Sequence, residues 1–138
     1  MKKLIVLVML IASSFSVYAG RYSYNCWMTD ISCDGLFRDM VSDKFTAKFP
    51  HDRFEIFVYA KTHAFSDGSG VSYSIVGVVP MLNQSYKFFP NRVWRNVTYF
   101  KNVGDSYAQK SHSREVIRKS IQAMMADCDY SKNCDILE

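Results

Sequence analysis

Residues 54–79, FEIFVYAKTHAFSDGSGVSYSIVGVV, decide the fold of this chain. Side chains alternate between two faces along 54–61 and again along 71–79, which is the period of two that a β-strand imposes. Between these runs, Ser66–Gly70 contains two glycines that can adopt the positive φ angles that tight turns require. The stretch therefore predicts two antiparallel strands joined as a hairpin.

A further strand is predicted on the C-terminal side of the hairpin. Residues 92–101, RVWRNVTYFK, again alternate between two sets of side chains. Pro80 and the polar stretch 83–85 interrupt the chain before this strand, and Tyr86–Phe89 is a candidate for a short edge strand before the turn at Pro90. The sequence thus predicts an antiparallel sheet of three to four strands.

Helical periodicity flanks the strands on both sides. Residues 32–49 carry apolar side chains at steps of three and four residues, and Pro50 ends the run. These apolar positions are Leu36, Phe37, Met40, Val41, Phe45 and Phe49. A second run of this kind starts at Ser113, a favourable N-cap residue, and reaches Cys128. Each run predicts an amphipathic helix.

Strands that are grouped together, with helices at both ends, indicate an α+β fold. We predict an N-terminal helix, the antiparallel sheet and a C-terminal helix, with both helices packed on one face of the sheet. In the registers drawn from the alternation, the other face carries Phe57, Tyr59, Trp94 and Phe100. Residues 20–31 have no helical period and are predicted to form an arm held by Cys26.

The first nineteen residues have the layout of a bacterial secretory signal peptide. Lys2 and Lys3 precede the apolar run Leu4–Ala12, and small residues lead to a cleavage point after Ala19. The run is shorter than the roughly 20 apolar residues that span a bilayer. We therefore predict a signal peptide over residues 1–19 and a single domain over residues 20–138, periplasmic or secreted and not inserted in the membrane after cleavage. The alternative is an uncleaved N-terminal anchor.

Removal of the signal peptide changes the electrostatic character of the chain. Subtracting the charges of Lys2 and Lys3 from the formal net charge of +4 leaves +2. A mildly basic exported domain suits an anionic partner, such as an acidic protein surface, but does not require one. Nucleic acid is not expected as a partner.

All four cysteines lie in the predicted mature domain. An even number in an exported chain predicts two disulfides among Cys26, Cys33, Cys128 and Cys134. Three connectivities are open, and we favour the local pairs, because each pair flanks the end of a predicted helix. Spacings of C-x6-C and C-x5-C are wider than structural zinc sites use, so we expect neither a metal nor a cofactor.

The candidate partner-binding residues lie around Pro90. Two arginines bracket a tryptophan beside two phenylalanines, and such residues often dominate binding energy at protein interfaces. The set is Phe88, Phe89, Arg92, Trp94 and Arg95. The alternative is that the aromatic members belong to the core and the arginines form a solvated strand edge.

No sequence motif indicates catalysis. Ser66, His63 and Asp67 contain the residue types of a hydrolytic triad, but neighbours on one turn rarely have its geometry. No G-x-S-x-G nucleophile motif is present. A hydrolase would need a site assembled from separated residues such as His51, Glu55, His63 and Arg95. We therefore predict no catalytic residues.

Taken together, these features predict an exported periplasmic binding protein that acts by protein–protein contact. Its partner would be an envelope or secreted protein, and its role that of an inhibitor, an immunity factor or a secretion-system accessory. The alternative is a small secreted hydrolase acting on cell wall or nucleic acid. A third hypothesis is a component that works in several copies, with an exposed strand edge pairing to a partner strand.

Overall fold

The computed structural model describes residues 20–27, 31–81, 90–130 and 134. Its elements in chain order are β1 (Ser23–Cys26), α1 (Asp43–Lys48), β2 (Phe54–Ala64), β3 (Gly70–Pro80), β4 (Val93–Phe100) and α2 (Ser106–Tyr130). The four strands form one sheet in the order β1-β2-β3-β4. The fold is α+β, as the sequence predicts. The predicted signal peptide and the candidate strand Tyr86–Phe89 lie outside the described residues.

The central hairpin is confirmed. Strands β2 and β3 pair along their whole length, from Phe54 opposite Pro80 to Ala64 opposite Gly70. At the turn, the amide of Phe65 donates to the carbonyl of Ser69 over 2.7 Å, and Gly68 has a φ of 82°. Strand β4 pairs antiparallel with β3, so the strand predicted over 92–101 is also confirmed.

The prediction of a fully antiparallel sheet is wrong at one edge. Strand β1 pairs in parallel with β2, with Ser23 opposite Glu55 and Cys26 opposite Val58, so the sheet is mixed. A parallel pair needs a crossover connection, and the chain between Cys26 and Phe54, which includes α1, supplies it. Four residues are too few to show a period of two, which is why this strand was predicted as an arm.

The prediction of a helix over 32–49 is wrong for most of its length. The helix α1 covers only Asp43–Lys48, and it follows β1 instead of opening the fold. Gly35 has a φ of 71°, and separate turns precede the helix, such as that in which the amide of Leu36 donates to the carbonyl of Cys33. Successive turns keep the three-residue spacing that buries Phe37, so the same pattern arises without a continuous helix.

The second helix is confirmed but starts seven residues earlier than predicted, at Ser106 instead of Ser113. The carboxylate of Asp105 accepts a hydrogen bond from the amide of Ala108 over 2.9 Å, which is the geometry of an N-cap. The stretch Gly104–Ser106, which resembles a loop in the sequence, therefore initiates the helix.

The core lies between the sheet and the helices. Helix α2 packs across β2, β3 and β4, and α1 packs beside α2. Fully buried apolar side chains from α2 meet those of the strands, and Phe45 of α1 and Phe49, the residue that follows α1, belong to the same cluster. The central members are Ile56, Val58, Val76, Ile117, Ile121 and Met124.

Buried hydroxyl groups hold α2 close to the sheet. Ser74 on β3 is 1% exposed, and its Oγ lies 2.7 Å from both the carbonyl of Val116 and the Oγ of Ser120. Thr62 on β2 has its Oγ1 2.7 Å from the Oγ of Ser72 and of Ser113. Small hydroxyl side chains let the helix approach the strands while every buried polar side-chain atom of the described residues keeps a partner.

Two disulfides connect neighbours in the sequence. Cys26 of β1 bonds Cys33, and Cys128 near the end of α2 bonds Cys134. This is the local pairing that the sequence analysis favours. Cys134 is fully buried in the core, so the second bond joins a core residue to the last turns of α2.

Candidate binding surface

The sheet has two faces, and the helices cover only one. On β2 the side chains of Ile56, Val58 and Ala60 point toward the helices, so those of Phe57 and Tyr59 point the other way. The pairing carries this alternation across the sheet, placing Ile75 of β3 and Arg95 of β4 beside Tyr59. The odd-numbered positions of β2, β3 and β4 therefore form the helix-free face.

One end of this helix-free face is closed. Phe57 and Val79 are 8% and 6% exposed, and Gly77 is buried. Pro90 crosses directly over Gly77, where a Cβ would come within 2.7 Å of the proline Cγ and of the carbonyl oxygen of Arg92. Glycine at this position is therefore required by the close approach of the chain that leads into β4.

The other end of the face is open to solvent. Three rows of opposed residues run across β2, β3 and β4 there, and we call these nine residues the open face. They are Tyr59, Ile75 and Arg95, then Lys61, Tyr73 and Val97, then His63, Val71 and Tyr99. Val97 is 53% exposed and Tyr99 78%, so large apolar surface lies uncovered on a strand.

Aromatic side chains on the open face contact one another. The hydroxyls of Tyr59 and Tyr73 lie 3.4 Å apart, and this hydrogen bond raises the pKa of Tyr73. The ring of His63 stacks on that of Tyr73, with centroids 5.9 Å apart and an interplanar angle of 11°. These contacts order a platform of rings on the open face.

The charge of the open face has one sign. Lys61 and Arg95 are both exposed, and none of the nine residues carries a carboxylate. The nearest acid on the same face of β2 is Glu55, six residues before Lys61, which places it about 20 Å away along an extended strand. The open face is thus aromatic and basic, and it suits an acidic surface.

Trp27 lies at the edge of this surface. Its amide donates to the carbonyl of Val58 over 2.8 Å, which extends the β1–β2 pairing by one residue and brings it level with Tyr59. Its side chain is 49% exposed and its ring lies 6.2 Å from that of Phe57. Trp27 is not among the predicted partner-binding residues, because the short strand that places it beside Tyr59 was not predicted.

The structure separates the predicted partner-binding residues. Trp94 is 7% exposed and faces the helices, and its Nε1 donates to the Asp127 carboxylate of α2 over 2.8 Å. Arg92 pairs with the same carboxylate at 3.2 Å and lies 5.2 Å from the Trp94 ring. Of the three members that the structure describes, only Arg95 points to the open face. Phe88 and Phe89 lie outside the described residues.

The prediction that Trp94 and Phe100 share the helix-free face with Phe57 and Tyr59 is wrong. Trp94 pairs with Val76, and Phe100 pairs with Gly70. Both partners are even-numbered positions of β3, and these positions face the helices, as Ser72 and Ser74 do. The Phe100 ring stacks on His112 of α2, with centroids 3.7 Å apart. Both faces of β4 carry aromatic residues, so the alternation alone does not identify the inner face.

Two of the residues that a hydrolytic site would need, Glu55 and His63, are far apart. Glu55 and His63 stand at opposite ends of β2, eight residues and thus about 26 Å apart along the strand. His51 precedes β2 and lines a shallow hollow with Asp43 and Asp52. Asp67 accepts hydrogen bonds from the amide and hydroxyl of Ser69, at 2.9 and 2.6 Å, which lower its pKa and fix the hairpin turn.

The described residues contain neither a cluster of metal-ligating side chains nor a helix suited to cross a membrane. Over residues 20–27, 31–81, 90–130 and 134, no group of three or more histidine, cysteine or acidic side chains is placed to hold a metal ion. Within the same ranges, no helix combines the length and apolar character that a membrane span needs.

Comparison with known proteins gives no relative of this chain. No protein-family model matches it, and no curated protein or solved structure matches it either. Function therefore has to be argued from the surface itself.

Proposed function

We propose that this chain is an exported protein without catalytic activity that binds an acidic envelope or secreted protein through its open face. Such a protein would act as an inhibitor, an immunity factor or a secretion-system accessory. The observation that carries the proposal is the open face itself: an ordered, helix-free sheet surface with exposed tyrosine, valine and basic side chains and no carboxylate.

The composition of the open face supports protein binding. Contiguous apolar surface on a small domain is costly in water, and where it is retained it commonly marks an interaction site. Tyr73 and Tyr99 have few rotatable bonds and large rings, so they gain contact area at a small cost in conformational entropy. Lys61 and Arg95 would steer an acidic partner toward the rings.

Two features support export. The layout of residues 1–19 is typical of a secretory signal, and two disulfides are typical of proteins that fold in an oxidising compartment. In addition, the nitrogen of Gly20 lies 3.1 Å from the Asp43 carboxylate at the start of α1. Cleavage after Ala19 would turn that nitrogen into an ammonium group beside a carboxylate, so the predicted mature terminus would be held in place by an ion pair.

The experiment that tests the binding proposal is affinity capture with a matched pair of variants. The bait is the domain starting at Gly20, incubated with envelope and culture-medium proteins of the cells that produce it. The test variant is Lys61→Glu/Arg95→Glu, on the open face. The control is Lys110→Glu/Arg114→Glu, which makes the same change in net charge at exposed positions of α2.

We expect the wild-type domain and the α2 control to retain the same acidic protein and the open-face variant to lose it. Raising the salt concentration should weaken capture, because exposed charges more than about 8 Å apart are screened at physiological ionic strength. Equal recovery on the open-face variant would contradict the proposal. So would hydrolysis of labelled peptidoglycan or nucleic acid by the purified domain, if it is lost in the His63→Ala variant.

A further inference from the structure

The sheet has one long edge strand. Strand β4 has eight residues and pairs with β3 without a bulge, from Gly77 opposite Val93 to Gly70 opposite Phe100. Among the strands that the structure describes, none pairs with its outer side. Natural proteins protect such edges with proline, charged side chains, bulges or short strands, and of these devices β4 contains only the exposed Arg95. The opposite edge, β1, has only four residues.

The sequence of β4 is complementary to itself. Opposed residues in an antiparallel pair lie on the same face of the sheet. A two-fold axis between two copies of β4 therefore passes beside one residue, which lies opposite the same residue of the other copy. Centring on Val97 places Arg95 opposite Tyr99 and Asn96 opposite Thr98. Each guanidinium then lies beside a phenol ring of the other copy, and the two valines meet at the axis.

The other registers are less favourable. Centring on Arg95 places this arginine opposite itself, and centring on Thr98 places it opposite Lys101, so both bring like charges together. Centring on Asn96 avoids the repulsion but places Trp94 opposite Thr98 and leaves Phe100 without an opposed residue within β4. Centring on Val97 leaves only Val93 without one and places the aromatic residues Trp94 and Phe100 opposite each other, a favourable cross-strand pair.

We infer that two copies of this chain associate through β4, antiparallel and centred on Val97, to form one eight-stranded sheet. The two-fold axis is perpendicular to the sheet, so both pairs of helices lie on one side and both open faces on the other. The result goes beyond the proposed binding function, because it joins two basic aromatic surfaces into one continuous surface with Arg95, Val97 and Tyr99 at its centre.

The test is the oligomeric state of the purified domain, measured by sedimentation equilibrium without any partner. The wild type should show a concentration-dependent dimer. Val97→Lys places a cation opposite itself and should raise the dimer dissociation constant by about tenfold or more. Because Val97 is 53% exposed, the monomer tolerates the substitution, and circular dichroism checks that it folds. Lys61→Glu, on β2 and away from the edge, is the control that should dimerise like the wild type.

Mixing charge variants tests the register. Val97→Lys and Val97→Glu together should form a heterodimer in preference to either homodimer. A Val97→Cys variant should form a disulfide-linked dimer on mild oxidation, because the described cysteines are all paired and directly opposed Cβ atoms lie about 5 Å apart. Tyr107→Cys, an exposed position on α2, should not.

A wild type that sediments as a monomer at every concentration would overturn the inference. So would a dimer whose dissociation constant Val97→Lys leaves unchanged. A dimer that forms a disulfide crosslink in Tyr107→Cys and not in Val97→Cys would overturn it as well. These results are independent of partner capture, so a failed dimer and a failed binding function are distinguishable.

Discussion

Replacing Trp94 with alanine is expected to lower the free energy of unfolding by about 3–5 kcal/mol. The side chain is 7% exposed and belongs to the core between β4 and α2, so its removal leaves a cavity. It also removes the hydrogen bond from Nε1 to Asp127. Urea denaturation followed by far-UV circular dichroism measures the loss without depending on tryptophan fluorescence.

Trp27 provides the matched control for Trp94. It is 49% exposed beside the open face, and Trp27→Ala should change the free energy of unfolding by less than about 1 kcal/mol while weakening capture of the partner. A loss of stability as large as that of Trp94→Ala would contradict the assignment of one tryptophan to the core and the other to the surface.

Removing both disulfides is expected to lower the free energy of unfolding by about 4 kcal/mol, roughly 2 kcal/mol for each short loop in the chain-entropy model. The sequence separations are seven and six residues. Alanine is the replacement of choice because Cys33 and Cys134 are buried, and a serine hydroxyl there would lack a partner. Denaturation of Cys26→Ala/Cys33→Ala, of Cys128→Ala/Cys134→Ala and of the quadruple variant measures each contribution.

The stabilisation by the two disulfides connects folding with export. A 119-residue domain has only about 5–15 kcal/mol of stability, so the loss of both bonds is a large fraction of it. The wild type treated with dithiothreitol should unfold at the denaturant concentration of the quadruple variant. If reduction leaves the unfolding midpoint unchanged, the disulfides contribute nothing and the argument from cysteines to an oxidising compartment loses its physical basis.

The central hairpin and β4 could be predicted because long strands repeat the period of two many times. Neither β1, with four residues, nor α1, with six, is long enough to offer such repetition. The apolar spacing over 32–49 arises in the structure from turns around Gly35, from the disulfide at Cys33 and from a six-residue helix. A helix and a series of turns both place every third or fourth residue inward, so spacing alone does not separate them.

The side of the sheet on which the open face lies could not be predicted, and β3 shows why. Its inward positions include Ser72 and Ser74, whereas Tyr73 and Ile75 point outward. The hydroxyl of Ser72 is satisfied by Thr62 of β2 and that of Ser74 by Ser120 of α2. Over residues 71–75 the polar side chains are therefore inside and the apolar ones outside, the reverse of the usual rule. The charged residues Lys61 and Arg95 do indicate which side of the sheet faces solvent, because each lies on the same face as Tyr59.

Footprinting of the captured complex tests the central claim most directly. Tyr99 on the open face and Tyr107 on α2 are 78% and 79% exposed, so they start with nearly equal access to a tyrosine-labelling reagent. Our account predicts that partner binding protects Tyr99 and Tyr73 and leaves labelling of Tyr107 unchanged. Protection of Tyr107 with Tyr99 and Tyr73 still fully labelled would place the partner on the helices and contradict the assignment of the open face as the binding surface.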